Sequence, residues 1–123
     1  MTKLQNSSEL EVLRKMLRTF ADERDWQQFH TPKNLATALS VEAAELLEPF
    51  QWLVNGGAEE LDSDKLAAIR FEMADVLAYL IMLADKLDVN LFEALQEKIV
   101  LNAAKYPVTK ARGNASKYTR FEN

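Results

Sequence analysis

Apolar residues along this chain recur in steps of three and four. Leu10, Leu13, Leu17 and Phe20 form one series. Leu35, Leu39, Leu46, Phe50 and Leu53 form a second, and Leu91, Leu95, Ile99 and Ala103 another. Each such step returns to the same face of a helix wound at ~100° per residue, so each series predicts an amphipathic helix. β-branched runs are missing, and glycine and proline number three each, so the fold class is all-α. Ser8-Glu9-Leu10-Glu11 has capping-box form and opens a first helix that should end near Trp26. Thr31 as N-cap and Pro32 behind it open a second, running to about Val54 and stopping at Asn55-Gly56-Gly57. Pro49 lies inside it and cannot donate to the carbonyl of Glu45, which predicts a kink there.

Asp62, Ser63 and Asp64 are all plausible caps for a third helix, and Leu87-Asp88-Val89-Asn90 closes it and starts a fourth that ends before Pro107. The reading is one domain over residues 1–123, a four-helix bundle with an extended basic tail from 107 to 123. There is no internal repeat.

The third helix differs from the rest. Over Phe71–Ala84 it reads FEMADVLAYLIMLA. Ile69, Met73, Val76, Leu77, Leu80, Leu83 and Ala84 cover one side, and Phe71, Ala74, Ala78 and Met82 much of the other. A helix apolar nearly all round is expected to be buried. Its remaining arc carries Glu72, Asp75 and Tyr79, and no Lys, Arg or His lies between Phe71 and Ala84. Two carboxylates in such a helix are costly unless a cation compensates them, and a metal ion is the economical choice. In the second helix Glu42 points into the apolar stripe and Glu45 lies at its edge. Glu42-x-x-Glu45 and Glu72-x-x-Asp75 each place two carboxylates on one helix face, ~5–6 Å apart. If the two helices pack antiparallel, both pairs meet at one level. Such i, i+3 pairs are common on solvated faces, but these lie within apolar surroundings. Four carboxylates make a hard oxygen site suited to Mg²⁺ or Mn²⁺. Cysteine is absent and histidine single, which disfavours zinc, and the Glu-x-x-His elements of a di-iron bundle are missing.

Composition narrows the setting. A 48% hydrophobic content is that of a folded chain, and no apolar run reaches transmembrane length. The start, MTKLQNSSELE, shows no apolar signal core, and the cytoplasm is the default location. The net charge of −4 argues against a general nucleic-acid surface. The tail is the exception: Lys105, Lys110, Arg112, Lys117 and Arg120 face one acid, Glu122. It is solvated, pairs with the acidic body, or reaches a polyanionic ligand.

Magnesium held by few carboxylates usually works on phosphates. Lys98 and the tail cations could neutralise phosphate charge, and Asn102 could hydrogen-bond a base or sugar, although either residue alone is as easily a solvated surface group. Trp26, Phe29, His30 and Trp52 could sandwich a nucleobase. Equally, Trp26 and Phe29 could plug the bundle end and Trp52 pack in the core. Tyr79 projects from the carboxylate face. No Gly-rich phosphate loop is present.

The Glu-x-x-Glu and Glu-x-x-Asp pair on consecutive helices resembles the MazG-like, all-α nucleoside triphosphate pyrophosphohydrolases. Further stretches look like the dCTP pyrophosphatase branch. They are Glu23-Arg24-Asp25-Trp26-x-Gln28-Phe29-His30-x-Pro32-x-Asn34-Leu35, Phe50-Gln51-Trp52, Lys98-x-x-x-Asn102-x-x-x-Tyr106-Pro107 and Lys117-Tyr118-Thr119. The match spans about residues 10 to 120. The resemblance implies Mg²⁺-dependent hydrolysis of a dNTP, dCTP or a modified cytosine nucleotide, to monophosphate and pyrophosphate, clearing surplus or non-canonical nucleotides. It implies Glu42, Glu45, Glu72 and Asp75 as metal ligands, one of them, with Glu45 favoured, orienting or deprotonating water. It implies Lys98, Asn102 and Tyr106, with Arg112 and Lys117 of the tail, toward the substrate, and Trp26, His30, Trp52 and Tyr79 around the base. It also implies a homo-oligomer, dimer or tetramer, with sites near subunit interfaces, and no nucleic-acid or membrane partner. Pro49 departs from the family pattern. The rival reading is a non-catalytic helical binding or assembly module that keeps the bundle.

Overall fold

Among the described residues five α-helices form, and each of the four long ones starts at a residue whose side chain takes up an orphan backbone N–H. A computed structural model of the chain describes residues 8–121. The N-terminal stretch read for a signal core lies outside these residues up to residue 7, as does Glu122 of the tail. The long helices are α1 (Glu9–Glu23), α2 (Pro32–Leu47), α3 (Ser63–Lys86) and α4 (Leu91–Lys105); α5 (Val108–Ala111) is a single turn. Ser8 Oγ accepts from Glu11 N at 3.1 Å, Thr31 Oγ1 from Asn34 N at 3.2 Å, Asp62 Oδ1 from Lys65 N at 2.8 Å and Asn90 Oδ1 from Glu93 N at 3.1 Å. Among the described residues there is no strand, so the all-α expectation holds. No described helix is long and apolar enough to cross a membrane.

The ends of α1 and α2 depart from the sequence reading, while α3 and α4 end where they were expected to. α1 stops at Glu23, three residues before Trp26, because Asp25 turns into the left-handed region at φ 54°. Trp26 N then reaches back to Ala21 O at 2.9 Å and Asp25 N to Asp22 O at 3.1 Å, a Schellman closure. α3 ends the same way: Asp88 sits at φ 54°, and Val89 N donates to Ala84 O at 2.9 Å. α2 does not run to Val54. After Leu47 the chain tightens into a 3₁₀ turn over Glu48–Phe50, in which Glu48 N donates to Glu45 O. Pro49 has no N–H for the α-helical bond, so the tighter pattern takes over where the kink was expected.

The described residues belong to two compact units, divided after Val89. In the first, α3 packs against α2 and, less extensively, against α1. Leu35 of α2, only 1% exposed, and Ala21, Ile69, Ile81 and Ala84 make its core. Asp85 of α3 fastens α1: it accepts from Arg14 Nη1 at 2.9 Å and from Arg18 Nε at 3.1 Å. Burial pushes the Asp85 carboxyl up, but the Arg18 and Arg14 hydrogen bonds outweigh it and hold the group below the usual range. The expectation that α3 is buried all round needs correction. Phe71 is 63% and Met73 58% exposed, because α1 and α2 cover only part of its circumference.

The second unit holds α4 and the tail. The tail is not simply extended. Lys110 N and Ala111 N both donate to Pro107 O at 2.9 Å, forming α5, and a 3₁₀ turn follows at Tyr118–Arg120. An aromatic knot organises it: the Tyr106 ring meets Tyr118 and Phe121 edge-on at 5.8 and 5.7 Å, and Lys105 Nζ lies 5.1 Å from the Tyr118 ring centre.

Candidate metal centre

One helical turn separates Glu42 from Glu45 on α2, and the α2–α3 packing brings Glu72 across to them. One carboxylate oxygen from each of the three lies within 4.8 Å of the others. All three side chains are half-buried. Glu42 Oε2 and Glu72 Oε2 are sealed from solvent and have no hydrogen-bond partner. A buried carboxylate oxygen without a partner is a costly group, and two of them facing one cluster call for a shared cation. Among the described residues the cluster has no ion pair with Lys, Arg or His.

The electrostatics agree. Desolvation is the main cause that pushes the Glu42 carboxyl above its ordinary range, helped by the hydrogen bond and charge of Glu45 and by the charges of Asp75 and Glu72. Glu72 is pushed up likewise, by desolvation first and then by Glu45, Asp75 and Glu48. The donor set is oxygen only, of hard, anionic character, which fits a divalent cation of the Mg²⁺ or Mn²⁺ kind.

Of the four expected ligands, three come together. Asp75 is exposed and stands outside the 4.8 Å group, although its charge acts on both Glu42 and Glu72. Glu48, missed in the sequence reading, also acts on Glu72. Its signal was the third step of Glu42-x-x-Glu45-x-x-Glu48.

The aromatic candidates fall into two groups. Trp26 packs edge-on against Phe20 at 5.7 Å and against His30 at 6.2 Å, in the turn between α1 and α2. Burial, then the charge of Lys86, pulls the His30 pKa down and so favours the neutral ring. Trp52 is not core: it is 87% exposed, in the loop after α2. Tyr79 is half-buried on α3, one turn beyond Asp75. Lys98, Asn102, Tyr106, Arg112 and Lys117 all belong to the second unit. There Lys98 and Asn102 are exposed on α4, Tyr106 is held in the aromatic knot, and Arg112 and Lys117 flank α5 and the last 3₁₀ turn.

Residues 37–121 match the model of the MazG-like family. The chain is 44% identical over 112 residues to dCTP pyrophosphatase 1 of Rattus norvegicus, covering 89% of this chain and 66% of the rat protein. It is 43% identical over 114 residues to the human protein of that name, covering 91% and 67%. It thus spans about two thirds of the length of these relatives. Among solved structures, a pyrophosphatase from Archaeoglobus fulgidus is similar with a TM-score of 0.75 and 43% identity, covering 82% of this chain and 94% of that one.

Proposed function

This chain belongs to the MazG-like family, and on that premise we propose that it is a Mg²⁺-dependent nucleoside triphosphate pyrophosphohydrolase. Its substrate is a dNTP, dCTP or a modified cytosine nucleotide, and its products are the monophosphate and pyrophosphate. The observation that carries this reading is the triad of Glu42, Glu45 and Glu72, with two buried oxygens that have no partner. The relatives named dCTP pyrophosphatase 1 support the cytosine preference.

Glu42, Glu45 and Glu72 would hold the ion, and Asp75 lies close enough to act on two of them. When bound, Mg²⁺ neutralises phosphate charge and lowers the pKa of water. Glu45 orients the attacking water and takes its proton. The water oxygen joins one phosphorus of the α–β phosphoanhydride, that bond breaks, and the bridging oxygen leaves with the other phosphoryl group, giving monophosphate and pyrophosphate. Trp26, His30, Trp52 and Tyr79 select the base, with neutral His30 able both to donate and to accept a hydrogen bond. Lys98, Asn102, Tyr106, Arg112 and Lys117 serve the phosphates and sugar. The role is clearance of surplus or non-canonical nucleotides in the cytoplasm.

We propose further that the active form is a homo-oligomer, dimer or tetramer. Phe71 and Ala74 are exposed on the side of α3 that also carries Ala78 and Met82, and an apolar side left open in this way is normally an interface.

The test is pyrophosphate release from a panel of dNTPs and 5-substituted dCTPs, with Mg²⁺ and with chelator. Release fastest from a cytosine nucleotide, abolished by chelator, is the expected result. No release from any nucleotide would favour a binding or assembly module.

A further inference from the structure

Trp52 stands at the tip of a loop that is closed at its base. Leu53 N donates to Phe50 O at 3.0 Å. Gly56, at φ 72°, lies so near Phe50 that a Cβ there would fall 2.9 Å from the ring's Cδ1. Three successive backbone N–H groups then converge on one side chain, the carboxylate of Glu60. Val54 N donates to Oε2 at 2.8 Å, and Asn55 N and Gly56 N donate to Oε1 at 2.9 and 3.1 Å. Asn55 Oδ1 adds a bond from Gly57 N at 2.8 Å. Glu60 itself is fixed beside the start of α3, since its N–H donates to Gly57 O at 2.9 Å and Asp62 caps that helix.

Charge-assisted bonds to three consecutive donors are among the stronger local ties available to a loop. What they support is an indole left 87% exposed. An indole so exposed gives the loop no core packing of its own, so the tie at 54–56 and the Phe50–Leu53 turn together set where Trp52 stands.

We propose that Glu60 is a positioning residue: its carboxylate clamps residues 54–56 and thereby holds Trp52 ready to stack on the nucleobase of the substrate. This rests on the reading above that Trp52 meets the base. Glu60 itself touches neither substrate nor metal. The clamp sets in advance a conformation that binding would otherwise have to order.

The decisive variant is Glu60→Gln. An amide of the same shape lacks the charge and turns an NH₂ toward one of the three donors. KM for dCTP should rise about tenfold with kcat within about twofold, since an interaction lost equally from bound substrate and transition state moves KM. Hydrogen exchange at the amides of 54–56 should quicken, while α2 and α3 keep their protection. In a double-mutant cycle, Glu60→Gln should add nothing to Trp52→Ala, because its effect runs through that ring. An unchanged KM in Glu60→Gln overturns the proposal. So does a Glu60→Gln effect of full size on top of Trp52→Ala. A wild-type protein that hydrolyses no dNTP sinks the functional reading and takes this proposal with it, whereas an active wild type with an indifferent Glu60→Gln sinks the positioning role alone.

Discussion

Glu72→Gln in the presence and absence of Mg²⁺ tests the metal centre without relying on turnover. In the metal-free protein Glu72 is pushed up by desolvation and by Glu45, Asp75 and Glu48, so its charge opposes folding at neutral pH. A glutamine of the same shape removes that charge. The metal-free variant should therefore be at least as stable as wild type at pH 7. A group whose folded pKa lies above its unfolded value of 4.5 binds protons more tightly in the fold. Its penalty is present above the folded pKa and fades as pH falls through it, so the advantage of the variant should vanish toward pH 4. Glu11, Glu60 and Asp85 are shifted the other way and lose their contribution in acid, but they are common to both proteins and cancel in the difference.

Adding Mg²⁺ reverses the order. A ligand that binds only the native state at ten times its Kd adds RT ln 11, about 1.4 kcal/mol. For a domain of this size that is roughly 5 °C in Tm. Wild type should gain this, and Glu72→Gln under about 1 °C at the same concentration, because a neutral amide is a poor ligand for a hard cation. The assay is differential scanning fluorimetry with MgCl₂ titrated against NaCl of matched ionic strength. The wild-type gain should shrink from pH 8 to pH 5, since protons on the raised Glu42 and Glu72 compete with the ion. A full Mg²⁺ gain in Glu72→Gln, or none in wild type at any concentration, would refute the assignment.

His30→Ala or Trp52→Ala should change the ranking among dNTPs or raise KM, and a uniform fall in kcat with the ranking intact would count against a base-selecting role. Asp75→Asn should abolish turnover and leave the melting curve of the metal-free protein nearly unchanged, as its carboxylate is exposed; near-wild-type activity would remove Asp75 from the site. Asp88→Gly should stabilise by roughly 0.5–1 kcal/mol in urea titration, because a left-handed residue at a helix C-terminus favours glycine and disfavours a negative charge. Ala78→Arg should yield smaller species by light scattering and lose activity, while a wild type that is monomeric and fully active at nanomolar concentration would sink the assembly reading.

What could be read beforehand follows the physics of each signal. Helix starts are local: Ser8, Thr31, Asp62 and Asn90 each cap a helix within three residues of their own position, so sequence order alone exposes them. The end of α1 was harder because the residue that closes it is Asp25, where glycine is the usual marker. Pro49 was read as a kink inside α2, whereas the helix ends just before it, and the stripe continuing through Phe50 and Leu53 overstated how far α2 runs. The clustering of Glu42, Glu45 and Glu72 was legible because carboxylates inside apolar periodicity are improbable without a purpose. Glu60 was not, because its partners are backbone N–H groups at 54–56, which no residue letter displays. The ties of Arg14 and Arg18 to Asp85 span some seventy residues and have no local signal at all.

The composition of α3 links the two halves of the proposal. Its sequence is apolar enough for burial on nearly all sides, yet within one chain Phe71 and Met73 stay exposed. Glu72 lies between these two residues in sequence, but its Oε2 is sealed and its charge is repelled by its neighbours. A helix under those two demands has one arc that needs a cation and another that needs a hydrophobic partner. Neither demand is met by α1 or α2, which cover the arc holding Ile69, Ile81 and Ala84. A second copy of the chain laid along Phe71 and Ala74 would cover the apolar arc beside the carboxylates and thin the water around them. Low local dielectric strengthens the hold of carboxylates on a divalent ion as much as it strengthens their mutual repulsion without one. Assembly and metal affinity should therefore rise together, each favouring the state that the other requires.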